Sequence, residues 1–523
     1  MTGTLTFLRV FLRRDRWLYV AFGIGTAILY VSQGWSVDGL YATQAEFDKA
    51  AAGMESNAAF VAMAGPARAL NTTGGQVAWQ ATAFGAIVVG LMAMLIVGRH
   101  TRTEEETGRD ELLRAAPVGR HATTTAALVD AALASVVVGV LVAGSLVAYG
   151  LATADSVGLG VGATLSGWFF AGVALLAAQL TSSARATYGL TGAVIGLSYG
   201  LRAIGDVSAP ALSWLSPIGW YQAMHAFSGL RWWPALLLVG GAVALAAAGY
   251  AVFDRRDFGA GVLATRPGPA GAGRGLQSGL GLAWRLQRPA FLGWALGLAV
   301  GGLSFGVMGN DVDALVGDSD LSQELILAVG GSVVDAFYAM LVAMLAAIAG
   351  GFAISSALRP YAEEEADRLE PLVATALPRS RWLLGHVAVT VLGTVVVLLL
   401  AGLGLGTSYA LVTGDGSAVV RMTADMASYL PAVLVLSAVA RLLHGVAPRA
   451  SRAAWLGLLV VWVVMMFGEV LRLPQWLQDL SPFEHLALVP AESFAWMPFV
   501  ALSVLALALS VAGQLAFRRR DIH

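Results

Sequence analysis

Long apolar runs separated by short polar stretches dominate the chain, and twelve of them reach the length needed to cross a membrane. A helix needs about 20 predominantly apolar residues to span a hydrocarbon core of ~30 Å. The runs lie near 17–34, 78–98, 122–150, 161–181, 186–204, 232–253, 289–308, 333–357, 382–411, 425–443, 453–471 and 494–516, the tenth interrupted by Pro431. Since backbone polar groups inside a bilayer must be satisfied within each segment, these runs predict helices. Composition agrees: 57% of the 523 residues are hydrophobic and only 12% charged, with a mean hydropathy of +0.72. The expected class is an all-α integral membrane protein with twelve transmembrane helices. The basic start followed by an apolar run resembles a secretory signal, but no small-residue cleavage site follows it, so an uncleaved first helix is expected.

Arginine placement gives an orientation. Arg9, Arg13, Arg14 and Arg16 precede the first run, Arg99, Arg102, Arg109, Arg114 and Arg120 follow the second, Arg255 and Arg256 follow the sixth, and Arg518, Arg519 and Arg520 follow the last. The alternate loops are acidic, with Asp38, Glu46, Asp48 and Glu55 after the first run and Asp311, Asp313, Asp318, Asp320 and Glu324 after the seventh. The positive-inside rule then places both termini in the cytoplasm of a multi-pass protein in the cell membrane.

Two charged cassettes stand out against this sparse charge. Glu104-Glu105-Glu106-Thr-Gly-Arg109-Asp-Glu111-Leu-Leu113 follows the second run, and Glu363-Glu364-Glu365-Ala-Asp-Arg368-Leu-Glu370-Pro-Leu372 follows the eighth. Pro117 and Arg120 trail the first, Pro378 and Arg381 the second. Other pairs recur in the same order. Arg13-Arg14-Asp-Arg16 matches Arg285-Leu-Gln-Arg288, and Trp214-Leu-Ser216-Pro217 matches Asp479-Leu-Ser481-Pro482. Gly205-Asp206-Val207 matches Gly468-Glu469-Val470, and Phe253-Asp-Arg255-Arg256 matches Phe517-Arg-Arg519-Arg520. The members of each pair lie roughly 260–270 residues apart, which identifies a duplication. The predicted organisation is a first half over 1–258, a Gly/Pro-rich linker over 259–281 and a second half over 282–523. An even number of spans per half gives both halves the same topology.

Each cassette reads as a short amphipathic helix at the cytoplasmic surface. Three glutamates suit the positive end of a helix dipole, Glu105/Arg109 and Glu364/Arg368 stand four apart with the acid first, and Pro117 or Pro378 ends the helix. The plainer reading is a solvated loop helix paired with itself. Retention of both the charges and the apolar residues in two copies favours a docking element.

The pattern E-E-x-x-x-R-x-E-x-L followed by A-x-P-x-x-R, after the second span of a six-span unit, resembles type-2 ATP-binding-cassette (ABC) transporter permeases. The tandem form, with W-L-S-P-x-G-W at the outer face and F-x-R-R-D closing each half, is similar to the polyketide-antibiotic (tetronasin-type) exporter permeases of actinobacteria. The resemblance covers essentially the whole chain. It implies elbow helices around 4–15 and 276–287, and coupling segments at 100–118 and 359–379 seated on two copies of a cytoplasmic ATPase subunit. The coupling residues it implies are Glu104, Glu105, Glu106, Arg109, Glu111, Leu113 and Pro117, with Glu363, Glu364, Glu365, Arg368, Glu370, Leu372 and Pro378. The second half departs from the pattern at Glu484-His485, Asp367 and Pro371, so the two docking sites need not be equal.

Energy must come from outside the chain. A phosphate-binding loop needs a lysine, and the only lysine is Lys49, in an external stretch. ATP and Mg²⁺ are therefore expected at the partner, with no cofactor bound here. There is no cysteine, and the seven histidines show no ligand spacing, so no metal is expected. No catalytic constellation is visible. The arginine-rich segments lack interleaved aromatics and read as topology anchors, not nucleic-acid sites.

By the same resemblance, spans two and five against eight and eleven line a path for a hydrophobic or amphipathic substrate. The residues expected there are Trp79, Gln80, Phe84, Met92, Tyr199, Arg202, Phe337, Tyr338, Met340, Met344, Trp462 and Met466. Met and aromatic side chains suit bulky apolar ligands, but packing between helices accounts for each equally well. Asp130, in the third run, is costly if deep in the bilayer. Asp206 and Glu469 either gate exit at the outer face or cap the segments holding Ser216-Pro217 and Ser481-Pro482. The rival architecture is a proton-coupled exporter of the major-facilitator type, also twelve spans in two parallel repeats. An acid-led, amphipathic loop after the second span disfavours it.

Overall fold

The computed structural model describes residues 2–38, 43–56, 58–108, 117–257, 261–263, 271, 273–307, 333–468 and 473–520. Arg109, Glu111, Leu113 and Glu469 lie outside these residues, as do 259–260, 264–270 and 272 of the 259–281 stretch. The described chain is helical and forms two compact units, Met1–Gly268 and Pro269–His523.

The first unit runs α1 (Thr4–Val37), α2 (Gln44–Ser56), α3 (Ala58–Ala64), α4 (Thr73–His100), α5 (Arg102–Glu106), α6 (Ala122–Tyr149), α7 (Thr153–Leu180), α8 (Ala184–Val207), α9 (Pro210–Ser213), α10 (Pro217–Gln222) and α11 (Trp233–Arg255). Starts are set by side-chain caps. The Thr72 hydroxyl accepts from the Gly75 N–H to open α4, and Ser183 does the same for Ala186 at α8. Gly150, at φ 105°, ends α6 in the left-handed conformation that glycine adopts without strain. α1 packs on α6, α6 on α7, and α7 on α4 and α11. Gly139 and Gly160 let α6 and α7 touch backbone to backbone, where a Cβ on either would strike the other's carbonyl.

The second unit runs α12 (Gly279–Gly306), α13 (Val333–Ala357), α14 (Arg359–Glu365), α15 (Leu369–Val373), α16 (Arg379–Thr413), α17 (Ala418–Ser428), α18 (Leu430–Val446), α19 (Ala454–Phe467), α20 (Gln475–Gln478) and α21 (Trp496–Arg519). α12 packs on α16, α16 on α17, and α18 on α13 and α21. Pro431 sits in the first turn of α18, where a missing N–H costs nothing, and so does not break a helix interior.

Eleven helices, among the described residues, are long and apolar enough to span a membrane. The predicted span 186–204 is the exception. It forms the 24-residue α8, but Arg185, Arg202 and Asp206 with several Thr, Ser and Gly residues dilute its apolarity. The supported class is thus an all-α, multi-span membrane fold.

Candidate functional site

In each unit the glutamate triplet sits at the C-terminal end of a helix that continues a span, not at a helix start. In the first unit, Glu104, Glu105 and Glu106 close α5, and Gly108 at φ 72° turns the chain away. In the second, Glu363, Glu364 and Glu365 close α14, and Asp367 at φ 54° breaks the helix before α15 begins. That break removes the expected helical pair between Glu364 and Arg368. Arg368 Nε instead meets Glu363 Oε2 at 2.9 Å, and Arg359 also pairs with Glu363. Pro378 likewise does not end a helix: with ψ 140° it is the N-cap of α16. Pro117 lies in a bend before α6.

An acid at a helix C-terminus faces the negative end of the dipole and needs cations. The fold supplies them from the start of the same short helix and from other helices. Glu104 accepts from Arg14 of α1 at 2.6 Å. Glu105 accepts from Arg102 at 2.7 Å and from Arg256, at the end of α11, at 2.5 Å. Glu106 accepts from the Ala184 N–H at 2.9 Å, capping the first turn of α8. Arg256 also reaches Gln179 at the end of α7, 2.8 Å away, and lies over the Phe253 ring. Arg120 donates to the carbonyls of Phe253 and Asp254, closing the last turn of α11.

The second unit repeats this knot with its own residues. Glu364 accepts from Arg520, beyond the end of α21, at 2.7 Å, and bonds His444 at the end of α18 at 2.8 Å. Arg520 lies over the Phe517 ring, and Arg379 donates to the Arg520 carbonyl. Glu365 accepts two bonds, at 2.6 and 2.7 Å, from Arg452 in the turn before α19, and a third from the Tyr361 hydroxyl at 3.3 Å. The repeated cassette and the repeated F-x-R-R ending therefore bond to each other within each unit. Gln179 and His444, the side chains that complete each knot, carried no motif and could be found only from the fold.

What remains outward differs from what is bonded. In the second unit Leu369 is buried, and Leu372, Val373 and Leu377 pack with it on Trp382, Leu383 and Phe517. Asp367 and Glu370 are exposed, and their side chains have no hydrogen bond or ion pair among the described residues.

The family model described as "Multidrug efflux system permease Rv1217c, C-terminal domain" matches residues 7–254 and 276–518. The chain belongs to this Rv1217c-type permease family. The multidrug efflux system permease protein Rv1217c of Mycobacterium tuberculosis (strain ATCC 25618 / H37Rv) is 38% identical over 532 residues, covering 100% of this chain and 96% of that protein. An Rv1217c-type permease is a membrane transport subunit and not an enzyme, and the charged knots are structural joints in it.

The residues expected along a substrate path occupy varied places in this permease. Met92 and Tyr338 belong to the two main hydrophobic cores, and Phe337, Met344 and Trp462 pack against the second of them. Met466 and Gln80 are half-buried, while Phe84 and Met340 are exposed on their units. Three polar groups are already committed at the end of the first unit opposite the knot. Trp79 Nε1 donates to the Gly65 carbonyl at 2.7 Å, Tyr199 to the Met63 carbonyl at 2.7 Å, and Arg202 to Met63 and Val61 at 2.9 and 3.3 Å. Together they hold the α3 segment. Asp206 faces Arg202 at 3.6 Å and accepts from Ser213 at 2.6 Å, which joins it to the turn leading to Ser216-Pro217. Replacing buried Arg202 with Met strands these acceptors, so Arg202→Met is expected to lower stability by about 2–3 kcal/mol. Thermal unfolding of the purified permease checks this, and a variant that unfolds normally yet fails to export would return Arg202 to the substrate path.

Proposed function

We propose that the chain is the membrane subunit of an ABC efflux pump, exporting hydrophobic or amphipathic compounds with energy from two copies of a separate ATPase subunit. ATP and its Mg²⁺ bind at that partner, which supplies the lysine-bearing phosphate loop this chain lacks. The arginine-rich end, with both termini, faces the cytoplasm. Drugs are the substrate class, in line with the multidrug efflux for which the M. tuberculosis relative is named, and polyketide-like antibiotics are the members of it that the family resemblance implies.

The observation that carries the reading is the joint itself. In each unit the segment after the second span is tied by carboxylates to the ends of the fourth and sixth spans and the start of the fifth. A push on the segments 100–118 and 359–379 is thereby passed to several helices at once. The glutamates then act as transmission and the outward residues, Glu370 and Asp367 among them, as the docking face. The two halves are a tandem duplication of a six-span unit, one coupling segment each.

Co-expression with the cognate ATPase subunit tests this. Two ATPase copies are expected to purify with each permease, and export is expected to fail on ATP depletion while surviving a protonophore. Export that persists without ATP and collapses with the proton gradient would instead support a proton-coupled exporter.

A further inference from the structure

At the arginine-rich end of the first unit, α1, α4 and α6 bring together three buried side chains that no sequence spacing connects. Asp15 and Asp130 have no exposed side-chain surface, and neither has His100. His100 Nε2 lies 2.6 Å from Asp15 Oδ2 and 3.8 Å from Asp130 Oδ2, and one ligand atom from each residue falls within 4.8 Å of the others. We propose that Asp15, His100 and Asp130 form a buried site for a divalent transition metal of the zinc type.

Three features favour a metal over a plain ion-pair cluster. First, Asp130 Oδ2 is buried and has no hydrogen-bond partner. A carboxylate oxygen left bare in a closed site is costly unless a cation faces it. Second, the far oxygen of each carboxylate is already held: Asp15 Oδ1 by Arg99 at 2.6 Å, and Asp130 Oδ1 by the Tyr19 hydroxyl at 2.6 Å. Outer hydrogen bonds that fix ligating carboxylates are the usual support of a metal site. The imidazole is fixed as well, stacked on Phe11 with ring centres 3.8 Å apart. Third, one nitrogen and two oxygens suit zinc at about 2.0–2.2 Å from each, which places the ligand atoms about 3.4 Å apart. The two distances from His100 Nε2, 2.6 and 3.8 Å, each lie within about 1 Å of that spacing.

The second unit serves as an internal contrast. Gln287 stands in R-L-Q-R where Asp15 stands in R-R-D-R. Its amide oxygen accepts from Ser356 at 2.5 Å, its amide nitrogen meets His386 Nδ1 at 3.1 Å, and Ser356 bonds Thr390 at 2.8 Å. This set is neutral, bonds to itself and has no carboxylate to offer. The site therefore belongs to the first unit alone. His100 immediately precedes the segment Thr101–Glu106, so a metal there would bolt the first, second and third spans together beside one coupling segment.

The test is metal content of the tag-free permease, purified from zinc-supplemented cells and washed free of loose metal. About one zinc per chain is expected in the wild type. The isosteric Asp130→Asn and the variant His100→Asn should each lower zinc content by about tenfold or more, while His386→Asn should leave it unchanged. Chelation should lower the unfolding temperature of the wild type and not that of Asp130→Asn. The site is overturned if the loaded wild type holds less than about a tenth of a zinc per chain, or if Asp130→Asn, folded by its unfolding curve, retains as much zinc as the wild type.

Discussion

Glu105→Ala is expected to destabilise the protein by about 3–5 kcal/mol and to abolish export. Glu105 is 6% exposed, and the two guanidiniums it neutralises, Arg102 and Arg256, are 1% and 4% exposed. Arg102 is also tied to the carbonyls of Ala178 and Thr181, and Arg256 to Gln179, so neither can swing into solvent without breaking further bonds. Removing the carboxylate leaves two like charges buried side by side. The matching change Glu364→Ala should cost less, because Arg520 is 19% exposed and water can take over part of its solvation. Thermal unfolding of the two variants in one detergent measures the difference. Equal losses would show that burial does not decide the strength of these joints.

The span pattern was legible because apolar length alone reports a membrane helix. It marks 186–204 less clearly, since Arg202 and Asp206 bond to α3 and the Ser213 turn and dilute the apolarity of α8. The cassettes were legible as important and misread in detail. Spacing of four suggests a helical pair only if the helix continues, and nothing in Glu364-Glu365-Ala366-Asp367-Arg368 announces that Asp367 turns left-handed. The partners of the glutamates come from residues 14, 184, 256, 444, 452 and 520, separations that local patterns cannot reach. A signal was nevertheless present. Two motifs repeated in the same register, E-E-E and F-x-R-R, carry opposite charge, and their mutual pairing is what the fold reveals.

The same reasoning explains why no partner for Asp130 is visible in the sequence, where it reads as costly if deep in the bilayer and otherwise as part of a cytoplasmic extension of its helix. Its neighbours Asp15 and His100 are contributed by α1 and α4, and the R-R-D-R motif marks Asp15 as a residue among cations, not as half of a buried pair. The substitution of Gln for Asp in the second copy was visible in the sequence. Its consequence, a charged cluster in one unit and a neutral one in the other, depends on the third helix.

Glu370→Arg should give the opposite outcome to Glu105→Ala: unchanged stability with loss of function. Glu370 is exposed and its side chain has no partner among the described residues, so its replacement should alter stability by no more than about 0.5 kcal/mol. Its helix stays anchored through Leu369, Leu372 and Val373 on Trp382, Leu383 and Phe517. If α15 docks on the ATPase subunit, a carboxylate there meets a cationic patch, and reversing its sign sets like charges together at a cost of several kcal/mol. An association weaker by about 100-fold or more is then expected, since about 1.4 kcal/mol corresponds to each factor of ten. Export and permease-stimulated ATP hydrolysis should fall together, and a charge reversal on the ATPase subunit should restore both. Full ATPase binding and normal export by a well-folded Glu370→Arg would remove α15 from the docking face and leave the joint of Glu363, Glu364 and Glu365 as the cassette's sole role.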